Sequence, residues 1–168
     1  PSRLFVEASI KDAFIEKALA MIPRYAPGDP LDEDTLMGAI VDDAQMKTVM
    51  GYIEAGKAGG AKLLAGGEAV RLDSGGYYVA PTLFDKVDND MRIAQEEIFG
   101  PVLSVITFTD VNDAVRQANA TPYGLAAGVW TSDISKAIKV SRALRAGTVH
   151  VNQYDNDDIT VPFGGVKQ

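Results

Sequence analysis

The sequence predicts an α/β protein, a three-layer sandwich whose sheet is largely parallel or mixed. Short runs of β-branched and aromatic residues alternate along the chain with amphipathic helical stretches, and strands interleaved with helices favour a layered sheet. The length, 168 residues, suits one domain spanning residues 1–168. Hydrophobic residues make up 46% and charged residues 23%, ordinary values for a globular chain that exclude disorder and fibre.

Residues 3 to 8, opening on Arg3-Leu4-Phe5-Val6, read as a strand. Phe14, Ala18, Met21 and Ile22 then recur at helical spacing. Pro23, Pro27, Gly28 and Pro30 make a breaker-rich loop. Asp42 or Asp43 can cap a long helix with Met46, Val49, Met50 and Ile53 on its apolar face, ended by Gly59-Gly60. Lys62 to Ala65 is a short strand. Tyr77 to Phe84 is another, which Pro81 confines to a sheet edge or a bulge. Val102 to Phe108 carries the strongest strand signal. Asp110 caps a helix bearing Val111, Ala114, Val115 and Ala118, and Ala126 to Thr131 is a strand. Ser132 or Asp133 caps a last helix bearing Ile134, Ala137, Ile138 and Leu144, stopped by Gly147 at C′. Thr148 to Asn152 is the final strand.

The formal net charge is −7, from 16 basic and 23 acidic side chains, which argues against nucleic acid or an anionic membrane surface as partner. No run of about 18 apolar residues occurs, and no basic-then-apolar leader, so no membrane span or secretion is expected. Cysteine is absent. That removes disulfides, thiolate zinc and a cysteine nucleophile from this chain, and suits a reducing cytoplasmic setting. The single histidine, His150, excludes a histidine metal cluster. The opening Pro1-Ser2-Arg3 and the closing Phe163-Gly164-Gly165-Val166-Lys167-Gln168 lack polar tails, and the sequence reads as a fragment.

Three motifs have bland readings. Gly51 to Ala58 nearly spells a phosphate loop, but Ala58 stands where a hydroxyl should hold Mg²⁺ and the pattern sits inside a helix. Asp155-Asn156-Asp157-Asp158 suggests calcium, but the sixth and twelfth positions of such a loop are Thr160 and Val166; a solvated Asx turn is the expectation. His150 lies on a strand without a serine–acid pattern and reads as a structural, hydrogen-bonded residue. No G-x-G-x-x-G occurs, so no complete dinucleotide-binding half is present.

Glu96-Glu97-Ile98-Phe99-Gly100-Pro101-Val102 is different. Two carboxylates precede an aromatic residue, and a Gly-Pro turn leads into the strongest strand. Two readings stay open on the residues alone: a charged turn, or a carboxylate that accepts a ribose diol beside a ring that covers an apolar cofactor face.

Here the chain resembles the aldehyde dehydrogenase superfamily, in blocks that run in order: Gly76 to Leu83, Glu96 to Val102, Asn119 to Ala126, Gly147 to Asn152 and Pro162 to Lys167. The opening Ser2-Arg3-Leu4-Phe5-Val6 resembles the stretch after the family's catalytic cysteine. The resemblance implies the C-terminal part of the catalytic domain of an enzyme that oxidises aldehydes to acids with NAD or NADP through a cysteine thioester. It places the cysteine, the general-base glutamate, the oxyanion asparagine and the dinucleotide-binding domain before Pro1. This chain is therefore expected to be inactive by itself. It implies that Glu97 holds the nicotinamide ribose, that Phe99 lies against the nicotinamide end and that Gln45 lies near the adenosine ribose. Thr48 stands where many members carry lysine. Phe163 matches an aromatic at the mouth of the aldehyde tunnel. The acidic segment Asp155 to Val161 matches the loop at the substrate entrance, where Asp155, Asn156, Asp157 and Asp158 favour a cationic or strongly hydrogen-bonding substrate; it looks most like enzymes for aminoaldehydes, especially γ-glutamyl-γ-aminobutyraldehyde. Glu97 and Phe99 alone are expected to bind NAD too weakly to retain it, and a homo-oligomer is expected. The other class of function, a non-catalytic α/β binding or assembly module, shares the absence of cysteine.

Overall fold

The computed structural model describes residues 2–154 and 158–167, and the chain divides into two compact units, Pro1–Thr107 and Phe108–Gln168. The first unit contains β1 (Arg3–Glu7), α1 (Lys11–Met21), a 3-10 turn (Ile22–Tyr25), α2 (Asp43–Ala58), β2 (Lys62–Ala65), β3 (Ala69–Val70), β4 (Tyr78–Val79), β5 (Thr82–Asp85), the short α3 (Arg92–Gln95) and all but the last residue of β6 (Val102–Phe108). Its main sheet runs in the order β1-β6-β5-β2. β5 pairs with β6 in parallel, with Phe84 opposite Ser104, and with β2 antiparallel, with Leu63 opposite Phe84. The sheet is mixed, as expected.

The pleat sorts the side chains into two cores. Leu83 and Val105 pack with Val6 against Phe14, Ala18, Leu19 and Ile22, so α1 covers one face. Phe84, Val102 and Ile106 pack with Val49, Tyr52 and Ile53 of α2 and Ile93 of α3 on the other. Successive strand residues point to opposite faces, so a sheet covered on both must be apolar at consecutive positions. Helix, sheet and helix give three layers within this unit. Gly56 permits close approach of α2, since a Cβ there would sit 3.0 Å from Ile93 Cδ1 and 3.1 Å from Phe84 Cζ.

Two expectations fail here. The run Tyr77 to Phe84 is not one edge strand: Pro81 separates β4, which pairs with β3 in a two-stranded sheet, from β5, an interior strand buried along its length. A residue without an N–H falls between two ladders, so it breaks neither. Met21 is exposed, and Leu19 takes its place against the sheet.

The second unit contains α4 (Val111–Asn119), β7 (Ala126–Val129), α5 (Ile134–Ala143) and β8 (Thr148–Val151). β7 and β8 pair in parallel, Ala126 opposite Thr148 and Val129 opposite Val151, and α5 is their crossover. Asp110 and Asp133 are the expected N-caps: Asp110 accepts from the Asn112 N–H and Asp133 from those of Ser135 and Lys136. Gly147 is not the expected C′ residue. α5 ends at Ala143, and Leu144 leaves it extended at φ −73°, ψ 130°. Gly147 serves a close crossing instead, because a Cβ there would overlap the Gly164 carbonyl. His150 is buried, its ring 5.7 Å from that of Tyr154. Gly51 to Ala58 lies wholly within α2, as the helical reading required.

Candidate functional site, a loop clamped to a helix stripe

Asp42 sets where α2 begins. Its extended backbone and its carboxylate, which accepts from the Gln45 N–H at 2.7 Å, satisfy a donor the first turn leaves open. From there Gln45, Val49 and Tyr52 fall on one stripe at steps of four and three. Each meets the segment 96–100. The Gln45 carboxamide nitrogen donates to the carbonyls of Ile98, at 2.9 Å, and Phe99, at 3.2 Å. Val49 packs on Gly100 so closely that a Cβ there would lie 2.5 Å from Val49 Cγ2. The Tyr52 hydroxyl donates to Glu96 Oε2 at 2.7 Å.

Arg92, four residues before Glu96 on the turn of α3, donates to the same oxygen at 3.0 Å while its guanidinium lies 4.5 Å over the Tyr52 ring. The Tyr52 hydrogen bond, then that of Arg92, hold the Glu96 carboxyl below its ordinary range. The hydrogen bond to Glu96, then burial, push the Tyr52 phenol up. At neutral pH the pair is therefore a carboxylate accepting a hydrogen bond from a neutral phenol.

The segment then turns sharply. Ile98 is 1% exposed and anchors it, whereas Phe99 adopts φ 50°, the left-handed region that a non-glycine residue holds only against strain. This backbone throws the ring outward, 75% exposed. Phe99 and Gln45 line one shallow depression of about 440 Å³ with Ala39, Ile40 and Val41. Glu97 is exposed beside it in sequence, without a hydrogen bond or ion pair to another of the described residues. An exposed carboxylate without a cation is free to accept from a diol, and an exposed ring can cover an apolar face. Thr48 donates its hydroxyl to the Ala44 carbonyl at 3.0 Å, so its side chain is occupied within α2.

In the second unit Phe163 is exposed, while Asp155 and Asp157 lie outside the described residues. Asp158 accepts from the Thr160 N–H at 2.8 Å and hydroxyl at 2.7 Å, an Asx turn of the expected kind. No cluster of metal-ligating side chains occurs among the described residues, and no helix there is long and apolar enough to cross a membrane.

Tyr52 and Arg92 were not singled out from the sequence. The signal was available: Tyr52 shares a stripe with Gln45 and Val49, and Arg92 stands four residues before Glu96, a spacing that pairs opposite charges.

Comparison with known proteins shows the family and the fold. Residues 1–168 match the model of the aldehyde dehydrogenase family. The betaine aldehyde dehydrogenase of Brucella anthropi is 45% identical over 169 residues, which are 99% of this chain and 35% of that protein. The indole-3-acetaldehyde dehydrogenase of P. syringae, solved with NAD⁺ and IAA, is 58% identical with a TM-score of 0.97, covering 99% of this chain and 34% of that one. The γ-glutamyl-γ-aminobutyraldehyde dehydrogenase of Burkholderia cenocepacia is 59% identical with a TM-score of 0.95 and coverages of 99% and 34%. The chain thus spans about a third of the length of the curated relatives it matches, and its α/β fold is that of the corresponding third of these solved enzymes.

Proposed function

The chain belongs to the aldehyde dehydrogenase family, and from that premise we propose that the whole protein oxidises an aldehyde to its carboxylic acid with NAD or NADP, through a thioester on a cysteine outside this sequence. The observation that carries this reading is the clamped loop, which presents an uncommitted carboxylate, Glu97, and an outward ring, Phe99, beside a depression that Gln45 also lines.

The residues fit a dinucleotide. Glu97 accepts from the hydroxyls of the nicotinamide ribose, and Phe99 lies against the nicotinamide end. Gln45 spends its nitrogen on two backbone carbonyls, which leaves Oε1 for the adenosine ribose. When bound, the dinucleotide supplies the hydride acceptor; the role of these residues is to hold and orient it. This chain has no cysteine and alone turns over no aldehyde. Nor do its few contacts retain a cofactor against the freedom the ligand loses.

Phe163 and the segment Asp155 to Val161 belong to the substrate entrance in this reading. The acidic residues Asp155, Asp157 and Asp158 favour a cationic aldehyde, and one solved relative is named for γ-glutamyl-γ-aminobutyraldehyde. The substrate class is therefore an aminoaldehyde. The two compact units are parts of one catalytic domain in a cytoplasmic homo-oligomer, a reading supported by the exposed Trp130, Ile134 and Val161. The test is to assay the full-length protein with amino- and neutral aldehydes and both cofactors, by the absorbance of the reduced dinucleotide. Asp155→Asn with Asp157→Asn lowers kcat/KM for aminoaldehydes more than for neutral ones. An unchanged ratio removes the aminoaldehyde reading, and no oxidation of any aldehyde removes the function.

A further inference from the structure

Glu96 and Glu97 are adjacent carboxylates of unlike fate. Glu96 is extended, at φ −113°, ψ 152°, and successive side chains of an extended segment point to opposite sides. Its carboxylate is drawn to α2 by Tyr52 at 2.7 Å and to Arg92 at 3.0 Å, while Glu97 is exposed. Pinning one therefore aims the other. The loop also needs ties on both sides, because Phe99 holds a left-handed backbone that a non-glycine residue leaves readily when released. Gln45 ties the loop after Glu97 through the carbonyls of Ile98 and Phe99. Before it, the loop is held by the side-chain bonds of Glu96 and by the bond from the Glu96 backbone N–H to the Arg92 carbonyl at 3.0 Å.

We propose that Tyr52, acting through Glu96, is a positioning residue that sets the Glu97–Phe99 loop in its cofactor-binding arrangement. This rests on the reading in which Glu97 receives the nicotinamide ribose. The phenol fixes the carboxylate from the α2 side, and Arg92 fixes the same oxygen from α3. Arg92 stacks on the Tyr52 ring, which holds both donors on one oxygen. If the tie is cut, the loop samples arrangements that do not bind, and apparent affinity falls by the competent fraction.

The test uses the full-length enzyme and the reduced cofactor, NADH or NADPH, that it produces. Tyr52→Phe deletes the hydroxyl and keeps the ring beneath Arg92. Glu96→Gln, at a side chain 46% exposed, keeps the shape and serves if Tyr52→Phe folds poorly. Each variant raises the dissociation constant in a fluorescence titration by about 5- to 10-fold, raises KM for the oxidised cofactor and leaves KM for aldehyde unchanged. The double variant binds no worse than Glu96→Gln, because the two residues act as one unit. Unchanged affinity in both single variants, or losses that multiply in the double, overturns the proposal. Glu97→Gln separates the two readings. If it leaves affinity and kcat intact, the ribose assignment fails; if it weakens both while Tyr52→Phe and Glu96→Gln do not weaken binding, only the positioning role fails.

Discussion

The contact between Gly100 and Val49 can be tested by exchanging its two sides. Gly100→Ala places a methyl 2.5 Å from Val49 Cγ2 and 2.9 Å from Cγ1, inside any tolerable separation. Val49 is 0% exposed and built into the core, so it cannot swing into solvent. Overpacking of this kind costs about 2 kcal/mol. Val49→Ala removes both γ-carbons from a filled site and costs about 2 kcal/mol in lost transfer and residual cavity. Made together, the new methyl occupies space the valine vacated. The double variant is then destabilised by about 1–2 kcal/mol, well short of the sum near 4 kcal/mol expected for independent sites. Equilibrium urea unfolding of the chain, followed by far-UV circular dichroism, gives the four stabilities of the cycle. Additivity within about 0.5 kcal/mol would refute the argument that this loop is seated by a direct fit between glycine and valine.

The remaining predictions concern a cap, an ion pair and a titration. Asp42→Ala removes the acceptor for the Gln45 N–H and costs about 1 kcal/mol in the same unfolding assay. Lys11 meets Asp85 at 3.0 Å, and the Asp85 side chain is only 7% exposed. Lys11→Met strands that carboxylate and costs about 2–3 kcal/mol, while Lys11→Met with Asp85→Leu recovers part of the loss. The Glu96 carboxyl is held below its ordinary 4.5, so its contribution is present above that value and lost as pH falls through the lower folded one. Glu96→Gln therefore flattens the acid limb of stability against pH below about 4.5. The Tyr52 phenol is raised above its ordinary 10.0; its contribution is present below that value and lost as pH rises through the folded one, a loss that Tyr52→Phe abolishes.

The sequence was most legible where local chemistry decides the structure. Asp42, Asp110 and Asp133 cap their helices as expected, because a carboxylate before an apolar periodic run has few other uses. Val102–Phe108 forms its strand because β-branched residues covered on both faces suit little else. The failures lie where distant segments decide. Nothing local says that Pro81 divides two sheets, or that Gly147 is there for the Gly164 carbonyl. In the site, Gln45 and Phe99 were found from their resemblance to a family and do meet at one depression. Their support was not found, since the bond from Tyr52 to Glu96 joins residues 44 apart. Such a pairing becomes visible only when α2 lies against the loop.

A structure of the full-length protein with NAD⁺ bound tests the central claim most directly. The account predicts the nicotinamide ribose within hydrogen-bonding distance of the Glu97 carboxylate, the Phe99 ring against the nicotinamide end, and Glu96 still held by Tyr52 and Arg92. A ribose placed away from Glu97, with Glu96 in its stead or the loop released from α2, would contradict it.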